Sequence, residues 1–209
     1  MGLSRRDLLL NAAAATAALV GAAASARPAA ASSLPVRPPG AREEAEFLSL
    51  CIRCARCNDA CPNQAIQTFT KESGRRFSAE PGRGEEGTPV VFARLQACNL
   101  CQSDPGDVLR CGEACPTGAL KLVRKSPEDV QAQVAMGTAV VDKNLCFSYT
   151  TACCGVCIRA CPFPGKALKA GMHERPVVDP EFCVGCGLCE RVCVRYPQAI
   201  TIKAGRVTA

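Results

Sequence analysis

CIRCARCNDACP, residues 51–62, sets four cysteines (Cys51, Cys54, Cys57 and Cys61) at intervals of two, two and three residues, with Pro62 behind the last. This spacing is the bacterial ferredoxin run that ligates a 4Fe-4S cubane. Three thiolates two residues apart fit one tight loop whose N–H groups can point at the sulfides. The fourth is expected to open a helical turn and, in two-cluster ferredoxins, to reach across to the other cluster. Proline after it removes an N–H and fixes φ where the chain leaves the ligand.

Working outward, the run recurs three times. Cys183, Cys186, Cys189 and Cys193 repeat the spacing with Val194 in place of proline. Cys98, Cys101, Cys111 and Cys115, followed by Pro116, form a second block, and Cys146, Cys154, Cys157 and Cys161, followed by Pro162, a third. Both are stretched at their N-terminal ends. These sixteen of the 17 cysteines imply four 4Fe-4S clusters, two for each pair of blocks. Structural zinc sites use two Cys-x-x-Cys pairs on a longer finger and have no need of a third cysteine two residues on. Disulfides fit poorly because cysteines packed this closely do not meet the required Cα separation and Cβ directions. Cys153, beside Cys154, is left over. The shared two-then-three spacing favours Cys154 as the ligand, with Cys153 a free thiol or an alternative ligand.

The N-terminus bears on the compartment. Arg5 and Arg6 precede a mildly apolar run, residues 8–24, and Ala24, Ser25 and Ala26 offer a small-residue cleavage site. Residues 1–26 therefore read as a twin-arginine signal peptide, a route that exports proteins already folded around their cofactors. An uncleaved anchor is the alternative, although the run is shorter than the roughly 20 apolar residues a spanning helix asks for. Cleavage removes Arg5, Arg6 and Asp7 and takes the formal charge from +6 to +5. Four oxidised clusters at about two negative charges each bring the holoprotein to roughly −3, so the basic sequence implies no nucleic-acid partner. Arg53, Arg56, Arg159, Arg191 and Arg195 lie in or beside the blocks. There they either raise cluster potentials or are solvated surface residues.

Short strands are expected after each block, at 65–69, 119–123, 167–170 and 199–202, and before three of them, at 89–93, 138–141 and 176–178. A helix is expected over 127–136 with Ser126 as its cap, a surface loop over 71–88, and a mobile linker over 27–46 ahead of a four-cluster domain at 47–209. Seven Phe, two Tyr and no Trp leave little for an ordinary core, so the clusters belong at the centre and folding is coupled to them. The fold class is α+β, a ferredoxin-like polyferredoxin of two pseudo-symmetric two-cluster modules with few short strands and helices. His173 has no companion ligand and reads as a surface residue. No nucleophile and base pair or phosphate-cradling glycine loop argues for an enzyme.

Beyond its cysteines, the chain resembles the MauM/NapG family of periplasmic ferredoxin-type proteins. The segments that carry the resemblance are RPPG at 37–40, GTP at 87–89 leading to FAR at 92–94, MGTAVVD at 136–142, and CVGCGLCERVCV at 183–194 with its valine for proline. The nine residues between Cys101 and Cys111 depart from that pattern. The resemblance supports Cys154 over Cys153. It implies a periplasmic electron carrier docked on a membrane-bound quinol dehydrogenase similar to NapH or MauN. Such a carrier would pass electrons toward a periplasmic cytochrome or reductase, in nitrate reduction or methylamine utilisation. An assembly or maturation factor for a periplasmic redox enzyme is the alternative. By resemblance to related four-cluster subunits, block one is expected to pair with block four and block two with block three; pairing of neighbours in sequence is the alternative.

Overall fold

Four helices of four or five residues carry the architecture, one per cysteine block. The computed structural model describes residues 35–77, 79 and 81–205; the expected signal peptide lies outside them. The block helices are α2 (Arg56–Asp59), α4 (Arg110–Glu113), α7 (Val156–Ala160) and α8 (Leu188–Arg191). Around them lie α1 (Glu44–Leu50), α3 (Lys71–Arg76), α5 (Pro127–Gln133) and α6 (Phe147–Thr150). The strands are β1 (Ile66–Thr68), β2 (Pro89–Val91), β3 (Gly137–Val141), β4 (Leu168–Ala170), β5 (Pro176–Val178) and β6 (Ile200–Ala204). They pair as three antiparallel two-stranded ribbons: β1 with β2 (Ile66 opposite Val91), β3 with β6 (Ala139 opposite Ile202), and β4 with β5 (Leu168 opposite Val178).

A two-stranded ribbon is marginal by itself, and the packing of the block helices supplies what the ribbons lack. α2 packs on α4, and α7 on α8. The larger core gathers Phe47, Leu109, Val123, Val130 and Val134 around the cysteines of blocks one and two, and takes in Val184 and Cys186 from block four. A smaller core holds Ala139, Ile158, Leu168, Cys189 and Ile200. The two halves are therefore interlocked within one unit. Arg94 adds a polar staple, its Nη1 donating to the carbonyls of Glu190, Arg191 and Cys193 at 3.4, 3.3 and 2.9 Å.

Four expectations are corrected. No strand forms at 119–123, because that backbone bonds to irregular segments instead: Arg42 N to Ala119 O, Lys121 N to Gly40 O, and Leu109 N to Val123 O. The loop at 71–88 contains α3, started by a reciprocal capping box between Thr70 and Ser73. Of the linker at 27–46, residues 35–46 are packed. Arg37 is buried and bonds both Glu44 oxygens, the Thr88 hydroxyl and the Pro89 carbonyl, and its guanidinium sits 4.8 Å over the Phe47 ring. A buried guanidinium is tolerated because all three of its nitrogens donate. The helix capped by Ser126 ends at Gln133, where Val134 leaves helical geometry. His173 is exposed, on a turn with φ 59°.

Candidate metal centres

In every block the third cysteine lies on the short helix, and the fourth follows that helix and does not open it. In blocks one, three and four the residue before the helix is left-handed: Ala55 (φ 59°), Gly155 (φ 60°) and Gly187 (φ 85°). That backbone reversal folds the preceding cysteines over the helix start. Block two reaches its helix through the longer segment between Cys101 and Cys111, which Asp104 closes by ion pairs with Arg110 at 3.0 Å and Lys125 at 3.3 Å.

The fourth cysteine crosses to the neighbouring block. Cys51, Cys54 and Cys57 line one cavity with Cys115 of block two (site I). Cys183, Cys186 and Cys189 line another with Cys161 of block three (site III). Cys146, Cys154 and Cys157 share a third with Cys193 of block four (site IV). For the remaining set, burial first and then the charges of Cys101 and Cys61 push the Cys111 thiol up to about 12, and Cys61 likewise raises Cys101. Cys98 is raised by burial and then by Cys111, by Cys186 of block four and by Cys101. The four block cysteines that line none of these cavities, Cys61, Cys98, Cys101 and Cys111, make the remaining candidate set, site II. Neighbouring blocks pair in sequence, contrary to the pairing expected by resemblance, because α2 packs on α4 and α7 on α8 and each fourth cysteine is delivered across its own helix pair. Cys154 lines site IV, whereas Cys153 is exposed.

The sites touch in a row. Cys57 of site I and Cys111 of site II pack in the same core. Cys98 of site II donates its N–H to the Cys186 carbonyl of site III at 2.9 Å. Cys157 of site IV packs against the core that holds Cys189 of site III. Burial is heaviest at the inner sites, where Cys98, Cys101, Cys111, Cys186 and Cys189 are buried and Cys61, Cys161 and Cys183 half-buried; at the outer sites Cys57 and Cys146 are buried but Cys54 is exposed.

The donor chemistry fits cubanes. All 17 cysteines are free of disulfides. A zinc ion with Zn–S of about 2.3 Å draws its sulfurs within about 4 Å of one another. Among the described residues no Cys, His, Asp or Glu set converges to hold a single ion; the cysteines instead stand around cavities. Burial pushes the Cys57 and Cys186 thiols up to about 12 and Cys157 up to about 11, so these thiolates need a cationic centre to stabilise them. Backbone N–H groups already face several sulfurs: Ala65 on Cys61 (3.3 Å), Leu100 on Cys98 (3.4 Å), Leu120 on Cys115 (3.5 Å) and Ala139 on Cys183 (3.5 Å). At Cys115 burial is outweighed by the Leu120 N–H and the Thr117 hydroxyl, and its pKa is lowered.

Charged residues near the sites fall into different roles. Arg53 donates to the Glu86 and Gly84 carbonyls at 3.0 and 2.9 Å, Arg159 to the Cys154 carbonyl at 2.7 Å, and Arg191 to Gln96 at 3.4 Å. Lys125, which the sequence reading passed over, donates to the Cys101 and Asp104 carbonyls at 3.2 and 2.6 Å. Arg195 lines site IV itself.

Comparison with known proteins agrees with this chemistry. Residues 50–119, which span blocks one and two, match the 4Fe-4S dicluster domain family, and residues 176–193 match the 4Fe-4S binding domain family. The chain is 37% identical to the ferredoxin-type protein NapG of Escherichia coli over 183 residues, 82% of this chain and 71% of that protein. It is 36% identical to the methylamine utilization ferredoxin-type protein MauM of Methylobacillus flagellatus (84% of this chain, 70% of that one) and to MauM of Methylorubrum extorquens (95% and 88%). With 4Fe-4S domains, an iron-sulfur electron-transfer role and this likeness along most of its length, the chain belongs to the NapG/MauM family of ferredoxin-type proteins.

Proposed function

We propose that the sixteen cysteines of sites I to IV hold four 4Fe-4S clusters, in two two-cluster pairs, and that the protein relays single electrons along them without bond chemistry of its own. One observation carries the reading: each of four sets takes three cysteines from one block and one from its neighbour, and the sets adjoin in a row. Clusters supply the one-electron chemistry; the chain seats them, excludes water from sites II and III, and leaves the two ends accessible. At site I Ile52 is 62% exposed, and at site IV Val194 is 63% exposed.

The partners in this reading are a membrane-bound quinol dehydrogenase similar to NapH or MauN at one end and a periplasmic cytochrome or reductase at the other. The protein acts in the periplasm, exported folded by the twin-arginine route. No helix among the described residues is long and apolar enough to cross a membrane, which leaves membrane attachment to a partner or to the N-terminal segment.

The test is iron and acid-labile sulfide content of anaerobically purified protein, with EPR of the dithionite-reduced state. The expectation is about sixteen iron atoms per chain and mutually interacting 4Fe-4S signals; zinc, or iron near eight, overturns the four-cluster reading. A deletion strain then separates carrier from maturation factor. Lost quinol-linked flux with an intact terminal enzyme supports the carrier, whereas a cofactor-deficient terminal enzyme supports the factor.

A further inference from the structure

Sites III and IV share one helix pair yet have opposite walls. Beyond its four cysteines, site III is lined by Ala139, Pro162, Phe163, Ala167, Leu168, Val184, Ile202 and two glycines, with no charged side chain. Site IV has the Arg195 guanidinium in its wall, 5.0 Å over the Phe147 ring, which also lines it. The Nε atom of Arg195 is buried without a hydrogen-bond partner among the described residues. Buried donors are almost always met, and an orphaned one calls for an explanation. Here the acceptors that the cavity is built to hold are thiolate and sulfide sulfurs. The other placed cations differ in this respect: Arg53, Arg159, Arg191 and Lys125 all donate to carbonyl or amide oxygens.

We propose that Arg195 sets the reduction potential at site IV above that at site III and so gives the row a direction, with site IV as the end where electrons collect before they leave. The inference rests on the four-cluster reading. Hydrogen bonds to sulfur and net charge set iron-sulfur potentials. A buried N–H donor with a positive charge stabilises the reduced state, which carries one more negative charge than the oxidised one. The apolar wall of site III offers no such stabilisation beyond backbone N–H groups. An electron arriving at site III therefore passes downhill to site IV, with no atom transferred and no co-reactant beyond the donor and acceptor at the two ends.

The experiment is an EPR-monitored redox titration of the holoprotein with Arg195→Leu, Arg195→Lys and, as a same-block control, Arg191→Leu. The site IV signal is identified as the one altered in Cys154→Ser. Arg195→Leu is expected to shift the reduced-to-oxidised ratio of that signal at fixed potential by about tenfold, or about 59 mV for one electron, with the other three signals in place. Arg195→Lys is expected to recover part of the shift, and Arg191→Leu to leave the signal where it was. An unmoved site IV signal in an Arg195→Leu protein with full iron overturns the proposal, as does an equal shift in Arg191→Leu. If Arg195→Leu does not retain its iron, Arg195→Gln replaces it under the same criterion. Failure of the underlying reading looks different, because wild-type protein would then lack four 4Fe-4S signals altogether.

Discussion

Block one and block four have the same spacing and almost opposite surroundings. At matched positions, Ile52 is 62% exposed and Val184 3%. Arg53 and Ala55 stand where block four has Gly185 and Gly187, and all four are left-handed, with φ of 58°, 59°, 72° and 85°. The loop geometry is thus common to both, and the residues that achieve it are not. Block one faces solvent, so a side chain at the first left-handed position of the loop has room, and Arg53 reaches out to the 84–86 turn. Block four is wedged between the halves: a Cβ at Gly185 would strike the Gly137 backbone, and one at Gly187 the Ala93 side chain. Spacing records what the cofactor needs, whereas the residues between the cysteines record where the block sits.

Exchanging residues between the blocks tests this most severely. Gly185→Arg combines a backbone collision, left-handed strain of about 1–2 kcal/mol and a buried unpaired charge costing several kcal/mol. The expected outcome is loss of sites III and IV, read as iron falling to about half or less of the wild-type content. Normal iron content would break the comparison. Cysteine replacement comes next. Cys186→Ser is expected to lower thermal stability along with iron, since Cys186 packs in the larger core, whereas Cys54→Ser at the exposed rim removes iron with little further loss. Under mild oxidant, wild-type protein should release site I iron first, followed by EPR; first loss from site III would contradict the burial argument.

Arg94→Ala sharpens the comparison by loosening block four alone. The staple holds the Cys193 carbonyl, and loss of a charged donor to backbone carbonyls is expected to cost about 1.5–3 kcal/mol, measured by chemical denaturation of the holoprotein. The smallest effect belongs to Arg53→Gly. It removes exposed hydrogen bonds of about 1 kcal/mol and relieves left-handed strain of similar size, so the midpoint should stay within about 1 kcal/mol of wild type. A large loss would mean that block one is as constrained as block four.

The cysteine framework was legible because ligand spacing is a local code, and the choice of Cys154 over Cys153 followed from it; the structure sets Cys154 beside Cys146, Cys157 and Cys193. Pairing was not legible, since nothing within a block states which helix will pack on it. Composition misled at both ends of the scale. Proline and charge at 35–46 suggested slack chain, but all three guanidinium nitrogens of Arg37 donate, to Glu44, Thr88 and Pro89. Glycines after Lys71 hid the Thr70 and Ser73 cap. Hydrophobicity at 119–123 suggested a strand, yet the partners of that backbone come from distant loops that local pattern does not reveal. Arg195 was visible as a neighbour of Cys193, but an orphaned Nε exists only in three dimensions.

On the proposed four-cluster reading, the exchange of fourth cysteines also imposes an order on biosynthesis. Site II has all its donors once Cys111 has been made and site I once Cys115 has, well before block three emerges, so the first pair can be filled on a partial chain. Its core remains open until Val184 and Cys186 arrive to close it. Sites III and IV wait in turn for Cys189 and Cys193, the last cysteines of the chain. Block four therefore completes the second pair of sites and closes the core around the first in the same step.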